Sequence, residues 1–525
     1  MAIRNSIIRS TRSLVCSLAA LSLWSGCGTD QGTGSTTPGG TAGAQSSTAG
    51  HPNSGVAGSQ AIPGAAGSSA AGSGAGGSPS AAGGSGPIGS AGSAPTTGGS
   101  GPAAGGSSPA TGGSAPSAGN GPVGTAGGGT TDPMGGYNPD FVEFVGKDCP
   151  VTAPAAVDNA KLPNLFKKAD GTMMTKKSEW ACRRAELKKA VETFIHGEKP
   201  GRPEKVTGSV TATQIKVHVE HMGKTIDFSV SVSIPAGVTQ PVAAIIGLGG
   251  GSLDAGILKS EGVATINYNN TTLASETSRS GLFTTIYGTG SGASAQVGWA
   301  WGVSRIIDVL VDEKTAGRNN IIDPKAIGVT GCSRLGKGAF TIGAFDERIA
   351  LGIPQESGTG GVSAFRVVNT NPKGPNGNGA QSLDSAWSEA QGWFGTMFGS
   401  NRSKVNTIPA DTHSLVAMYA PRGLLVLDNS RIGELCATCQ HAATADAAEM
   451  YKALGVEKNI EYNGGNASDP HMHCTFYAAS QGEPLKRAIR AFLTHKAAPD
   501  GRIAPAAVAT ADMSKWLDGT TPTLQ

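Results

Sequence analysis

The string Val329 to Phe340, VTGCSRLGKGAF, sets a serine between a cysteine and two cations, Arg334 and Lys337, just after the apolar run Ala326 to Val329. A serine hydroxyl is a poor nucleophile at its free pKa, so chemistry at Ser333 needs a neighbouring base, and the base needs an orienting carboxylate. Strand, sharp turn and helix form a nucleophile elbow, which exposes the hydroxyl and aims backbone N–H groups at a developing oxyanion. The usual G-x-S-x-G spacing would put a glycine at 335, where this chain has Leu335, with Gly336 one place later. On the motif alone, a glycine-rich strand-to-helix turn without catalysis stays open.

The elements that would position such a serine alternate along the chain. Residues 209–235 read as two β-rich runs around a Gly-containing turn, a hairpin. VAAIIGLGGG, GVATINY, AIGVTG, ALGIPQES and GLLVLDN read as short buried strands. AQVGWAWGVSRIIDVLVDE and AATADAAEMYKALG carry helical patterns between them. Apolar strands separated by helices predict an α/β fold, a mostly parallel sheet sandwiched between helices, with its chemistry at the carboxyl ends of the strands. Ser333 falls at one of those ends.

GCSRLGKGA resembles the G-C-S-R-x-G-K-x-A signature of glucuronoyl esterases, carbohydrate esterase family 15. PQESGTGGVSAFR is similar to that family's second motif, PADTHSLVAMYAPRGLLVLDN to its D-x-H-x-L and A-P-R segment, and HMHC to its closing H-C. The four motifs come in the family's order and span most of the globular part. The resemblance implies an α/β-hydrolase fold with Ser333 as nucleophile and Glu356 as the acid. His471 and His473 both offer a base; the family's catalytic histidine precedes a cysteine, which selects His473, while His471 is assigned to the loop. The chain order Ser, acid, His is that of α/β-hydrolases.

By the same resemblance Arg334 adds its side chain to the oxyanion hole and Lys337 binds hydroxyls of a uronic acid. Gln381 falls close to a sugar-binding glutamine, with Glu389 as its acidic partner. For both, an ordinary polar place on a helix surface remains the alternative. The family carries a Trp after its later strand, and Asn429 to Leu435 has none, which implies an altered sugar pocket. The loop GLGGGS lacks P-loop spacing and is expected to approach the serine.

Of eight cysteines, Cys16 belongs to an export signal and Cys27 to its end, leaving an even six in an exported chain. The resemblance pairs Cys149 with Cys182 and Cys332 with Cys474, clamping nucleophile to base. Fungal members join the equivalent of Cys439 to a cysteine that would fall at Ala364, so a local Cys436–Cys439 bridge is the natural substitute. A thioredoxin-like role for this C-x-x-C would need a different fold. No metal or cofactor is indicated: His218 and His221 lie in the hairpin with no nearby Cys or carboxylate cluster, and His413 sits in the D-x-H segment, where Asp411 is expected to hydrogen-bond it. A net charge of +3 spread over the chain gives no nucleic-acid footprint.

Arg4, Arg9 and Arg12 precede an apolar run, Leu14 to Trp24, too short to anchor in a bilayer, and Ser-Gly-Cys ends it. Residues 1–27 therefore read as a signal peptide with lipidation at Cys27, or cleavage nearby with plain secretion, giving an exported, outer-membrane or cell-surface lipoprotein, or a secreted protein. From Gln31 to Thr131 there is no Asp, Glu, Lys or Arg, and 79 glycines in 525 residues concentrate in such stretches. Residues 28–136 read as a disordered Gly/Ser/Ala/Pro linker with a reach of roughly 55 Å. Residues 137–497 form the catalytic domain and 498–525 a loose tail.

The expected activity is a serine esterase cleaving the ester between glucuronic acid side chains of glucuronoxylan and lignin alcohols. The expected protein is a monomer that touches membrane only through its lipid. Two alternatives stand beside it: an esterase of the same fold acting on acetyl or feruloyl groups, and a catalytically silent carbohydrate-binding surface protein.

Overall fold

A computed structural model describes residues 138, 140–152, 154–374, 376–503 and 510–525. The expected signal, Cys27 and the linker lie outside the described residues. Nine strands form one sheet: β1 (Lys205–Val210), β2 (Gln214–His221), β3 (Lys224–Ser233), β4 (Val242–Leu248), β5 (Ala264–Tyr268), β6 (Ile322–Cys332), β7 (Leu351–Gln355), β8 (Gly423–Leu427) and β9 (Ile460–Asn463). Their order is β1-β2-β3-β5-β4-β6-β7-β8-β9. From β5 onward every pairing is parallel, while β1, β2 and β3 make an antiparallel meander that joins β5.

The local sequence explains each type. β4 and β8 are buried at every residue, as a strand covered on both faces must be. β3 alternates, with Ile226, Val230 and Val232 inward and its other residues largely toward solvent. The turn between β2 and β3 is Met222 (φ 53°) and Gly223 (φ 69°), two left-handed residues that match the twist of a two-residue hairpin.

One face of the central strands packs on the helix Ala295–Thr315, with Trp299 and Trp301 fully buried, and on the helices Arg334–Phe345 and Ala437–Leu454. The other face packs on the helix Ala478–Phe492, where Leu485, Ile489 and Phe492 meet Ile245, Leu351 and Leu425. Alternate residues of β4 divide between the two cores, so the strand is held from both sides.

Three expectations need correction, and one strand had no counterpart among them. The hairpin is the inner part of a three-stranded meander, because Gly208 of β1 packs against Val309 and its neighbours pair with β2. β9 was not anticipated at all; four residues give too short a pattern to read. The C-terminal tail is not loose: Leu524 is buried, Leu162 N–H donates to Trp516 O at 3.1 Å, and Gln525 exchanges backbone bonds with Thr175 and Lys177, both 2.9 Å. Asp411 does not bond His413; it caps the helix Thr412–Ala417 and accepts from Phe365 N, Arg366 N and Arg366 Nη1, while His413 Nε2 meets Pro163 O at 2.8 Å. Burial holds His413 down at about 4.

Candidate active site

Ser333 joins the end of β6 to the helix Arg334–Phe345 with φ 57° and ψ −125°. Its N–H donates to Gln355 O of the neighbouring β7 at 3.0 Å, and its carbonyl accepts from Lys337 N at 3.0 Å. The first helical turn leaves N–H groups without intrahelical partners, beginning with Arg334. The absent glycine at 335 also finds its reason. A Cβ on Gly331 would lie 2.5 Å from Leu335 O, and one on Gly336 2.5 Å from Gln355 O. The turn is closed by these two glycines, and Leu335 itself extends toward Gly249, where a Cβ would meet its Cδ1 at 2.8 Å. The GLGGGS loop thus reaches the elbow, and Ser252 Oγ donates to Gln355 Oε1 at 2.6 Å.

Glu356 directly follows β7, fully buried and in a left-handed backbone conformation (φ 47°). Its Oε2 lies 2.6 Å from His473 Nδ1 and accepts the Cys474 N–H at 2.7 Å. A carboxylate on Nδ1 keeps the proton there and leaves Nε2 as the basic nitrogen. Cys332 and Cys474 are joined by a disulfide, with Cα atoms 5.6 Å apart, so the residues beside Ser333 and His473 are covalently tied. Among the described residues no hydrogen bond joins the Ser333 hydroxyl to His473. In ligand-free hydrolases this contact is often long and tightens with substrate.

His471 is apart from this set: its Nε2 faces Arg431 Nη2 at 2.8 Å. Cys332, Glu356, His473 and Cys474 place potential metal-ligating atoms within 4.8 Å of one another, but bridged sulfurs are not thiolates, which leaves one histidine and one carboxylate.

Lys337 is buried, donates from Nζ to Ser357 O at 2.6 Å, and stands 4.7 Å from the centre of the Trp393 ring. Burial lowers its pKa to about 8, against the opposing charges of Glu389 and Glu276. Gln381 Nε2 donates to Glu389 Oε2 at 2.6 Å, so the structure brings these two together. Arg334 is largely exposed and ion-paired with Glu276 Oε1 at 3.0 Å. In the stretch without a tryptophan, Glu434 accepts from Asn376 Nδ2 at 3.3 Å and from Asn378 Nδ2.

Three residues near the site had no signal in the sequence. Glu276 falls in a Ser/Thr-rich loop, Trp393 in a Gly-containing one, and Asp428 at the end of β8 looks like an ordinary strand end. Asp428 is fully buried, with Tyr462 OH on its Oδ2 at 3.0 Å. Burial pushes it up to about 7, and the charge of Glu356 adds to the rise. His218 also differs from expectation: Asp227 from the facing strand and Glu220 contact its two ring nitrogens at 2.8 and 3.0 Å and raise its pKa.

The other two disulfides are Cys149–Cys182 and Cys436–Cys439. Ala364 N–H donates to Cys439 O at 3.2 Å, so the missing partner position does adjoin Cys439, and the chain bridges locally instead.

A mostly parallel sheet with a serine on a strand-to-helix elbow, and a Glu–His pair beside it, defines an α/β-hydrolase. The family profile described as "Glucuronyl esterase, fungi" matches residues 217–455. The 4-O-methyl-glucuronoyl methylesterase of Hypocrea jecorina is 38% identical over 378 residues, covering 70% of this chain and 76% of that protein. The crystal structure of the glucuronoyl esterase from Sporotrichum thermophile superposes with a TM-score of 0.65 at 35% identity, covering 72% of this chain and all of that one. A serine-to-alanine mutant of it, in complex with methyl 4-O-methyl-β-D-glucopyranuronate, gives 0.62 at 34%, covering 72% and 100%. The chain belongs to the glucuronoyl esterase family.

Proposed function

We propose that Ser333, His473 and Glu356 hydrolyse esters of glucuronic acid, such as those joining xylan side chains to lignin alcohols, through an acyl-enzyme. The observation that carries this reading is Glu356 Oε2, which holds His473 Nδ1 and the Cys474 N–H at once, beside a serine tied to the same segment by Cys332. His473 Nε2 takes the Ser333 proton as Oγ attacks the ester carbonyl, and the oxyanion faces the Arg334 N–H and guanidinium. Collapse expels the alcohol, protonated by His473, and leaves the glucuronoyl group on Ser333. Water, deprotonated by His473, then attacks that ester and releases the acid.

Lys337, Gln381 and Glu389 bind the sugar hydroxyls in this reading. The related structure with a bound methyl glucuronate supports a uronate over acetyl or feruloyl groups. Benzyl glucuronate should be turned over much faster than 4-nitrophenyl acetate. Equal or faster hydrolysis of the acetate would overturn the uronate assignment.

On sequence grounds we further propose that residues 1–27 direct export, that Cys27 carries lipid, and that 28–136 space the domain 137–497 from the surface. The expected result is that the full chain fractionates with membranes and Cys27→Ser is released from them. Release of both alike would show that the protein is plainly secreted.

A further inference from the structure

Glu276 lies in the loop after β5, and both oxygens of its carboxylate are used at the site. Oε1 faces Arg334 Nε at 3.0 Å, and Oε2 accepts the Trp393 indole N–H at 2.8 Å. Its carbonyl accepts Gly392 N–H at 2.9 Å, an approach that any Cβ at 392 would block by meeting that oxygen. Two further side chains secure the loop that carries Trp393. Arg279 Nη2 donates to Gln391 O and Phe394 O at 2.9 and 3.0 Å, and Gln296 Nε2 to Trp393 O at 2.8 Å.

We propose that Glu276 is a positioning residue that holds both cations of the site, Arg334 through the ion pair and Lys337 through the indole plane beneath its ammonium. This rests on the esterase reading of Ser333. Among the described residues Glu276 is the one ionic partner of Arg334, whose side chain is 60% exposed. A long exposed cation otherwise spreads over many rotamers, and an oxyanion is stabilised by groups already in place. Trp393, by contrast, is buried, so its N–H needs the acceptor that Glu276 supplies. Glu276 and Glu389 are the two carboxylates whose charges favour the protonated form of Lys337 against burial.

The test uses benzyl glucuronate with Glu276→Gln, Arg334→Ala and their combination. Glutamine keeps an acceptor for Trp393 and loses the charge. Glu276→Gln should lower kcat by about 10- to 100-fold with the melting temperature preserved. The alkaline rise in KM should begin at lower pH, since Lys337 loses a supporting charge. In the Arg334→Ala background the kcat loss from Glu276→Gln should vanish. Trp393→Phe, which removes the N–H and keeps a ring, should raise KM several-fold. An unchanged kcat and pH profile in Glu276→Gln would overturn the proposal, as would a kcat loss that persists undiminished without Arg334. A parent protein inactive on benzyl glucuronate would instead count against the esterase reading itself.

Discussion

Ser333→Ala is expected to lower kcat on a glucuronate ester by about 10⁴-fold or more, with the melting temperature close to that of the parent. The two halves of this expectation have separate causes. Without Oγ the acyl-enzyme cannot form, and what remains is turnover from the oxyanion site and substrate binding alone. The fold survives because the elbow is held by backbone bonds, Ser333 N–H to Gln355 O and Lys337 N–H to Ser333 O, which alanine keeps. Among the described residues the hydroxyl has no hydrogen-bond partner to leave unsatisfied. Steady-state kinetics with a thermal melt of the same sample decides the matter. A folded variant that keeps most of its turnover would move the nucleophile elsewhere.

The second large effect is on the Cys332–Cys474 bridge. It links positions 142 apart in sequence, and on the chain-entropy model closing such a loop is worth roughly 5 kcal/mol against the unfolded chain. Cys332→Ala with Cys474→Ala should therefore shift the denaturant midpoint well downward. It should also lose activity at temperatures where it remains folded. Cys474 gives its N–H to Glu356 Oε2, and His473 shares that oxygen, so release of the tether frees the proposed base at the point where geometry matters most. A displacement of about 1 Å costs up to about 100-fold in rate. Non-reducing peptide mapping should recover one pair carrying both cysteines. Free thiols at both positions would refute the bridge and reopen the assignment of the base between His471 and His473.

Much of the fold was legible because its strands are short, apolar and separated by long helical patterns, as in 242–248 and 295–315. The residues proposed for the site are legible where they sit in a linear motif: Ser333 with Arg334 and Lys337, Glu356 after its strand, His473 before a cysteine. What escaped depends on distant backbone meeting side chain. Glu276 reaches Arg334 and Trp393 from residues 58 and 117 positions away, and nothing in SETSRS marks it. The tail 510–525 carries few apolar residues, so its docking through Leu524 and main-chain bonds left no periodic trace. His218 gained Asp227 through strand register, which spacing along one strand cannot show. Leu335, a departure from the elbow motif in linear view, is accommodated by Gly249 from another loop.

Ser333, Glu356 and Cys474 all have left-handed backbone, at φ 57°, 47° and 59°. Each such residue costs on the order of 1–3 kcal/mol, and glycine would remove most of that cost. At Ser333, whose side chain has no hydrogen-bond partner among the described residues, stability and turnover are therefore opposed, whereas glycine at Cys474 would also remove the bridge to Cys332 and glycine at Glu356 the buried acceptor of His473. A library of variants ranked only by heat resistance would drift toward glycine at Ser333 and keep variants without its hydroxyl. Breeding a hardier esterase from this scaffold thus means holding the three positions constant and seeking gains in the cores on either side of the sheet.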